Sequence, residues 1–329
     1  MPRILLDTDP GIDDALALFL ALASPEIHLE AVTTVSGNVP VADTTRNALA
    51  LLELAGRADI PVASGCPCPL VGSSARAAHV HGDNGLGGIL LPTAARPPLG
   101  IHAVDLIIET ILAAPGEITL VPIGPLTNIA LALRREPRLA QLVREVVVMG
   151  GALRVPGNIT PAAEFNIYVD PQAAHIVLHA GWPIRLVTLD TTTRTLLKRA
   201  QVTQLDNGAS PVTALMRGMV DYYCDIFGGA QGISAIQMHD PLCLAAAFRP
   251  DLLTWEEAFV DVELNGTLTL GETVAFFAQP DRPPGPRANV LAAVDVQARR
   301  FIQFYLARIQ AAFGGTRQAR RRQETVEGD

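Results

Sequence analysis

The sequence predicts an α/β chain: a mostly parallel central sheet with a Rossmann-like core, helices on both faces, and a small antiparallel addition toward the C-terminus. Three observations carry this. Apolar runs of strand length alternate with helix-period segments up to about residue 190. Several runs, "EVVVM" above all, lack any polar alternation, as strands buried on both faces do. Apolar residues make up 49% of the 329 residues and charged ones 18%, enough to fill a large core.

The elements follow in order. "RILLD" reads as a buried strand and "DDALALFLALAS" as a helix stopped by Pro25. "HLEAVTTVSGN" is a second strand, and "ADTTRNALALLELAG" a helix with Gly56 just past its end. "IPVASG" is a short third strand. Residues 66–100, rich in Gly, Pro and His, read as a long functional loop. The alternation resumes with helix "IHAVDLIIETILAAPG", strand "EITLVPIG", helix "PLTNIALALRREPRLA" and strand "EVVVMGG". A loop over 152–168 leads to helix "DPQAAHIVLHAG" and strand "IRLVTLD". Farther on, 211–227 and 240–248 read as helices, and "AFVDVEL", "GTLTLG" and "TVAFF" as the antiparallel set. "NVLAAVD" adds a strand and 296–313 a closing helix. With no repeat and no linker, residues 1–313 are expected to form a single domain. Residues 314–329, polar and carrying four Arg, are expected to be a disordered tail.

The net charge of −8 argues against broad nucleic-acid binding, which needs a basic face. The longest apolar helical run, Ala15 to Ala23, is too short to span a bilayer, and no signal peptide is visible. A cytoplasmic protein with reduced thiols is the expectation. Cys66 and Cys68 in "GCPCP" lack a second pair at zinc-site spacing. There is no P-loop and no GxGxxG, so a nucleotide's phosphates have no obvious cradle.

The chemistry concentrates in "RILLDTDPGIDDALALF", where Asp7, Asp9, Asp13 and Asp14 lie at a strand-to-helix turn. In open α/β sheets, ligands bind beyond the carboxyl ends of the strands. A helix start favours a carboxylate by only about 1 kcal/mol per site, so it cannot account for all four. Converging carboxylates call for a hard divalent cation, and open positions for substrate hydroxyls suit calcium better than magnesium. Other strand ends bring Asn38, then Ile123 and Gly124, then Asn158, Glu164, Phe165 and Asn166. "QMHDPL" sets His239 and Asp240 at a helix start. These are hydroxyl- and metal-binding residue types.

"DTDPGIDDA", "TTVSGN", "GPLTNIA", "VVVMGGA", "AEFNIYVDPQAAHIV", "HDPLCLA" and "VDVELNGTLTLG" occur in an order and spacing that resembles the inosine–uridine-preferring nucleoside hydrolases, over about residues 3 to 310. The resemblance implies the nucleoside-hydrolase fold and cleavage of the N-glycosidic bond of ribonucleosides. It also implies one tightly bound calcium per subunit and a homodimer or homotetramer. Carried over by motif, Asp9 is a calcium ligand and the general base for the attacking water. Asp14 is a second, bidentate ligand, and Asp240 a third. Position 123 supplies a main-chain carbonyl; many relatives have Thr there, and Ile123 is compatible because the ligand is a backbone oxygen. Asp13 and Asn38 match residues that hold the ribose hydroxyls, and Asn158, Glu164 and Asn166 those on the 3′ and 5′ side. His239 matches a residue that protonates the leaving base in some members, and His81 a His near the base. Tyr223, Phe227 and Gln231, on a segment that covers the base in this family, are candidate base contacts, as is Phe165. Asp7 is given only an orienting role.

The chemistry is coherent without the name. Breaking a ribosyl C–N bond builds an oxocarbenium-like charge that a carboxylate-lined pocket stabilises. Blander readings stand beside each residue. His239 could cap a helix, Tyr223 and Phe227 at i and i+4 could be a core stripe, and Asn158 and Asn166 could bond within loops. His79 has no motif role and reads as structural or solvated. The rival enzyme is a haloacid-dehalogenase-like magnesium phosphatase with Asp7 as nucleophile and Asp9 as acid. It wants a well-placed Lys, and the chain's single Lys, Lys198 in "LLKRA", is poorly placed. A non-catalytic nucleoside or ribose binder is the other rival; intact Asp9, Asp14, His239 and Asp240 argue against it.

Overall fold

Runs that are apolar at successive positions must be covered on both faces. In β1 (Arg3–Thr8), Ile4 and Leu6 enter one buried cluster while Leu5 enters the cluster on the opposite side. The computed structural model describes residues 1–73, 75–231, 234–278 and 285–314, with backbone only over 228–231. The strands that follow are β2 (His28–Thr34), β3 (Val62–Ser64), β4 (Ile118–Pro122), β5 (Glu145–Met149) and β6 (Ile184–Val187). Then come β7 (Leu196–Lys198), β8 (Ala235–Gln237), β9 (Leu253–Val262), β10 (Thr273–Phe277) and β11 (Val290–Val296). Nine of them make one sheet in the order β10-β9-β11-β6-β5-β4-β1-β2-β3. β1 to β6 pair in parallel, β11 is parallel to β6, and β9 is antiparallel to both its neighbours.

The helix Ile12–Leu22 is buried from Ile12 through Ala21. It packs against the helices His239–Ala246 and Ala298–Phe313, and Tyr305 anchors it by donating from its hydroxyl to Leu16 O at 3.2 Å. An apolar helix covered all round is a core element. That rigidity holds the turn at its start, with the acidic cluster, in place.

The strand order locates the functional end. From β1 the chain builds outward through β2 and β3, then crosses back to lay β4, β5 and β6 on the other side. Beyond the carboxyl ends of β1 and β4 the connections therefore diverge, leaving a crevice.

The structure departs from the sequence reading in several elements. The expected helix over 125–140 is two, Thr127–Arg135 and Leu139–Leu142, separated at Pro137, which has no N–H to continue the ladder. The loop expected over 152–168 ends in a short helix, Phe165–Val169, and the long loop over 66–100 contains another, Ala78–His81. "GTLTLG" alternates like a strand but forms the turn between β9 and β10, with Gly271 at φ +79°. The antiparallel addition is continuous with the main sheet through β11. β7 and β8 form a separate antiparallel ribbon that the sequence reading lacked. Residues 315–329 of the expected disordered tail, and the side chain of Gln231, lie outside the described residues.

Candidate active site

Asp7 is still in register with Pro122, and Ile123 N donates to Asp7 O at 2.8 Å. Past this last rung the two chains part, and Asp9 and Ile123 line a cavity of about 340 Å³. Asp9 Oδ2 accepts from Asn38 N at 2.7 Å. A Cβ at Gly37 would fall onto Asp9 Oδ2, and one at Gly124 onto Oδ1. Both glycines are thus required by the close approach of backbone to this carboxylate.

Asp14 fixes the turn from behind. Its oxygens accept from Thr8 Oγ1 at 2.5 Å, Gly11 N at 2.9 Å, Asn38 Nδ2 at 3.0 Å and Asp9 N at 3.2 Å. With Gly11 as N-cap this is also the N3 half of a capping box, so the helix-start reading accounts for part of Asp14's place. Asn38 Nδ2 reaches Asp9 O at 3.2 Å as well, tying the end of β2 to the turn.

Carboxylate oxygens of Asp13, Asp14 and Asp240 lie within 4.8 Å of one another, all three buried, with Asp9 bordering them on the cavity wall. Burial first, and then repulsion from neighbouring carboxylates, pushes Asp9, Asp13 and Asp240 above the usual carboxylate range. Burial also raises Asp14, against the hydrogen bonds it accepts. Fully ionised, such a group is stable only around a cation. The donors are all oxygen, and Ile123 lines the same cavity, its main-chain oxygen accepting from Asn166 Nδ2 at 2.8 Å. The residues present fit a hard divalent cation.

Asn38, Asn158, Glu164, Phe165 and Asn166 all line the cavity, as the sequence predicts. Glu164 caps the helix Phe165–Val169: it accepts from Asn166 N at 3.0 Å, Gly151 N at 3.0 Å and Ile167 N at 3.2 Å. Burial raises its pKa, and those backbone donors oppose the shift. Asn158 Oδ1 accepts from Phe165 N at 2.9 Å, so this asparagine also has the loop-bonding role that the sequence left open.

His81, Tyr223, Phe227 and His239 line the same cavity, His81 lying against the acidic turn itself. His81 Nδ1 accepts from Ile12 N at 3.0 Å, which leaves Nε2 to carry the proton. Burial pushes His81 down to about 3 and His239 to about 4, so both imidazoles are neutral near pH 7. His239 Nδ1 is 2.7 Å from Thr192 Oγ1, and its Nε2 is 3.1 Å from Gln237 Oε1. The Tyr223 and Phe227 rings lie 4.8 Å apart, and burial lifts the Tyr223 phenol to about 12.

Asp7 does not line the cavity. It accepts from Thr33 Oγ1 at 2.6 Å and Asn128 Nδ2 at 2.8 Å, and burial raises it to about 7. Its bonds brace β1 against β2 and the helix Thr127–Arg135. Residues that sequence reasoning missed include Gln237, Leu196 and Ile236 from the β7–β8 ribbon, Met149 at the end of β5, and Thr192 behind His239. His79, expected to be structural or solvated, lines the cavity too. Gln237 is the only one of these close in sequence to a motif residue, His239, which begins the helix just after β8.

A profile of the inosine-uridine preferring nucleoside hydrolases matches residues 4–303. The chain belongs to that family. The Leishmania major inosine-uridine preferring nucleoside hydrolase is 44% identical over 298 residues, covering 90% of this chain and 94% of the relative. A plant nucleoside hydrolase superposes with a TM-score of 0.89 at 37% identity, covering 94% of this chain and 99% of the other. A purine-preferring ribonucleoside hydrolase from Gardnerella vaginalis does so with a TM-score of 0.88 at 33% identity, covering 94% and 98%. As a nucleoside hydrolase, the chain gathers Asp9 and Asp13 of the acidic turn, the asparagines, the capping glutamate, the histidines and the aromatic rings around one cavity.

Proposed function

We propose that this nucleoside hydrolase cleaves the N-glycosidic bond of ribonucleosides to ribose and free base, with one calcium ion held by Asp9, Asp14, Asp240 and the main-chain oxygen of Ile123, and with Asp9 as the base for the attacking water. The observation that carries this reading is the convergence of the buried Asp13, Asp14 and Asp240 carboxylates beside a cavity lined by Asp9, Asp13 and Asp240 together with imidazoles and aromatic rings. When bound, calcium would supply a fixed positive charge for the ribose diol and the water, acidifying that water only modestly.

The chain's own residues do the rest. Asp9, clamped between Gly37 and Gly124, takes the proton from the water and has little freedom to swing away. Asp13 and Asn38 grip the ribose hydroxyls; Asn158, Glu164 and Asn166 hold the far side of the sugar. The carboxylates stabilise positive charge as the C–N bond lengthens. His239, a neutral imidazole, gives a hydrogen bond to the departing base as that base becomes more basic. Tyr223, Phe227, Phe165, Gln231 and His81 are the proposed base contacts. The homodimer or homotetramer and the cytoplasmic setting rest on the sequence reading; among the described residues no helix is long and apolar enough to cross a membrane.

The phosphatase alternative fails on geometry, because its nucleophile, Asp7, is turned away from the cavity and braced by Thr33 and Asn128. A silent binder is separated by product: the hydrolase releases reducing sugar from inosine or uridine. The decisive experiment strips the protein with a chelator, then measures metal content and sugar release. One calcium per chain, activity lost with it and restored by Ca²⁺, is the expected result. Full turnover by a protein with no bound metal would reject the reading.

A further inference from the structure

Away from the cavity, one more group of metal-ligating side chains converges among the described residues: His175, His179 and Asp261. His175 lies on the helix Pro171–Leu178 and His179 is its C-cap, one turn on, so both rings project from the same face. Their centroids are 4.4 Å apart. Asp261 comes from β9, which packs against this helix. His175 Nδ1 is 2.8 Å and His179 Nε2 is 3.0 Å from the same oxygen, Asp261 Oδ1. The His179 ring is steadied edge-on by Phe259 at 5.7 Å.

Two imidazoles and one carboxylate are the donor set of a zinc ion, not of calcium or magnesium. At zinc bond lengths of about 2.0–2.1 Å, tetrahedral ligand atoms stand roughly 3.3 Å apart. The two N···O distances fall short of that by a few tenths of an ångström. Small ring rotations supply the difference, since the three side chains are 38%, 32% and 41% exposed. That exposure also leaves the fourth position to water. The carbonyl end of the helix adds a favourable potential for a cation. Among the described residues, Asp261 pairs with no Arg or Lys that a cation would have to displace. Partial burial works against its charge, but the Val262 N–H and the two imidazoles outweigh it and hold its carboxyl below the usual range.

We propose that His175, His179 and Asp261 form a zinc site, separate from the catalytic cavity, that staples the helix Pro171–Leu178 to β9. The test uses the full chain with excess Ca²⁺ present. After equilibrium dialysis with Zn²⁺, the unaltered protein should retain one zinc per chain and melt at a higher temperature than without zinc. His179→Gln should bind zinc more than about a hundredfold more weakly, a larger loss than an outer hydrogen bond costs, with its calcium content unchanged. Co²⁺ in the unaltered protein should show the intense visible bands of a tetrahedral site, absent in Asp261→Asn. In the unaltered protein, zinc should also shift the imidazole proton resonances of His175 and His179, a readout that needs no variant. Equal zinc retention by the unaltered protein and both variants, or no shift of those two resonances, would overturn the site.

Discussion

Two sets of residues at the cavity are held in different ways. In the acidic set, backbone N–H groups do much of the holding: two of the four hydrogen bonds to Asp14, all three of those to Glu164, and the bond from Asn38 N to Asp9, which also has two glycines pressed against it. In the second set, Tyr223 and Phe227 are positioned by ring packing, and His239 by side-chain bonds to Thr192 and Gln237. A sugar is the same in every ribonucleoside, so the residues proposed to hold it can be rigid. Bases differ, and a set built from side-chain contacts can change from one relative to another without disturbing the chemistry.

This contrast can be broken or sharpened by substitution. The largest effect is expected for Asp9→Ala, which removes the base and a metal donor together: turnover should fall by at least about three orders of magnitude on every substrate. Near-normal kcat in steady-state assays would end the role. Next comes Gly37→Ala, a single methyl in the rigid set. It should push the Asp9 carboxylate off its mark and cost about a hundredfold in kcat/KM, equally for all bases, because a misplacement of about 1 Å is costly there. A loss confined to one base would show that the rigid set also reads the base. The smallest and most selective effect is expected for His239→Ala. Natural nucleosides should lose about ten- to a hundredfold, the worth of a hydrogen bond to developing charge. p-Nitrophenyl riboside, whose leaving group needs no proton, should lose little; equal losses on both would remove His239 from leaving-group departure.

Much of this was legible in the chain because it is local. The first six strands declare themselves as apolar runs, and the acidic turn is contiguous from Asp7 to Asp14. Asp9, Asp13, Asp240, Glu164, the three asparagines and His239 are all motif residues in the sequence, and the cavity gathers them, while Asp7 and Asp14 stand outside its lining. What escaped was short or depended on distant partners. β7 and β8 have three residues each, too few for a period to show, yet they bring Leu196, Ile236 and Gln237 to the cavity. The helix Phe165–Val169 has five residues and exists because Glu164 caps it. Gly37 and Gly124 look like ordinary turn glycines until Asp9 is seen lying against both. His175 and Asp261 are 86 positions apart, and only the packing of a helix on β9 brings them together.

By itself the sequence determined the parallel α/β core, the concentration of negative charge at the first strand's end, and the family, since periodicity and contiguous motifs are properties of neighbouring residues. Tertiary structure alone decided that Asp7 turns inward, that Asp13 joins Asp14 and Asp240, and that a ribbon of two short strands completes the wall. The reason is physical: which way a carboxylate faces, and what it repels, depends on strand order and on atoms far away along the chain.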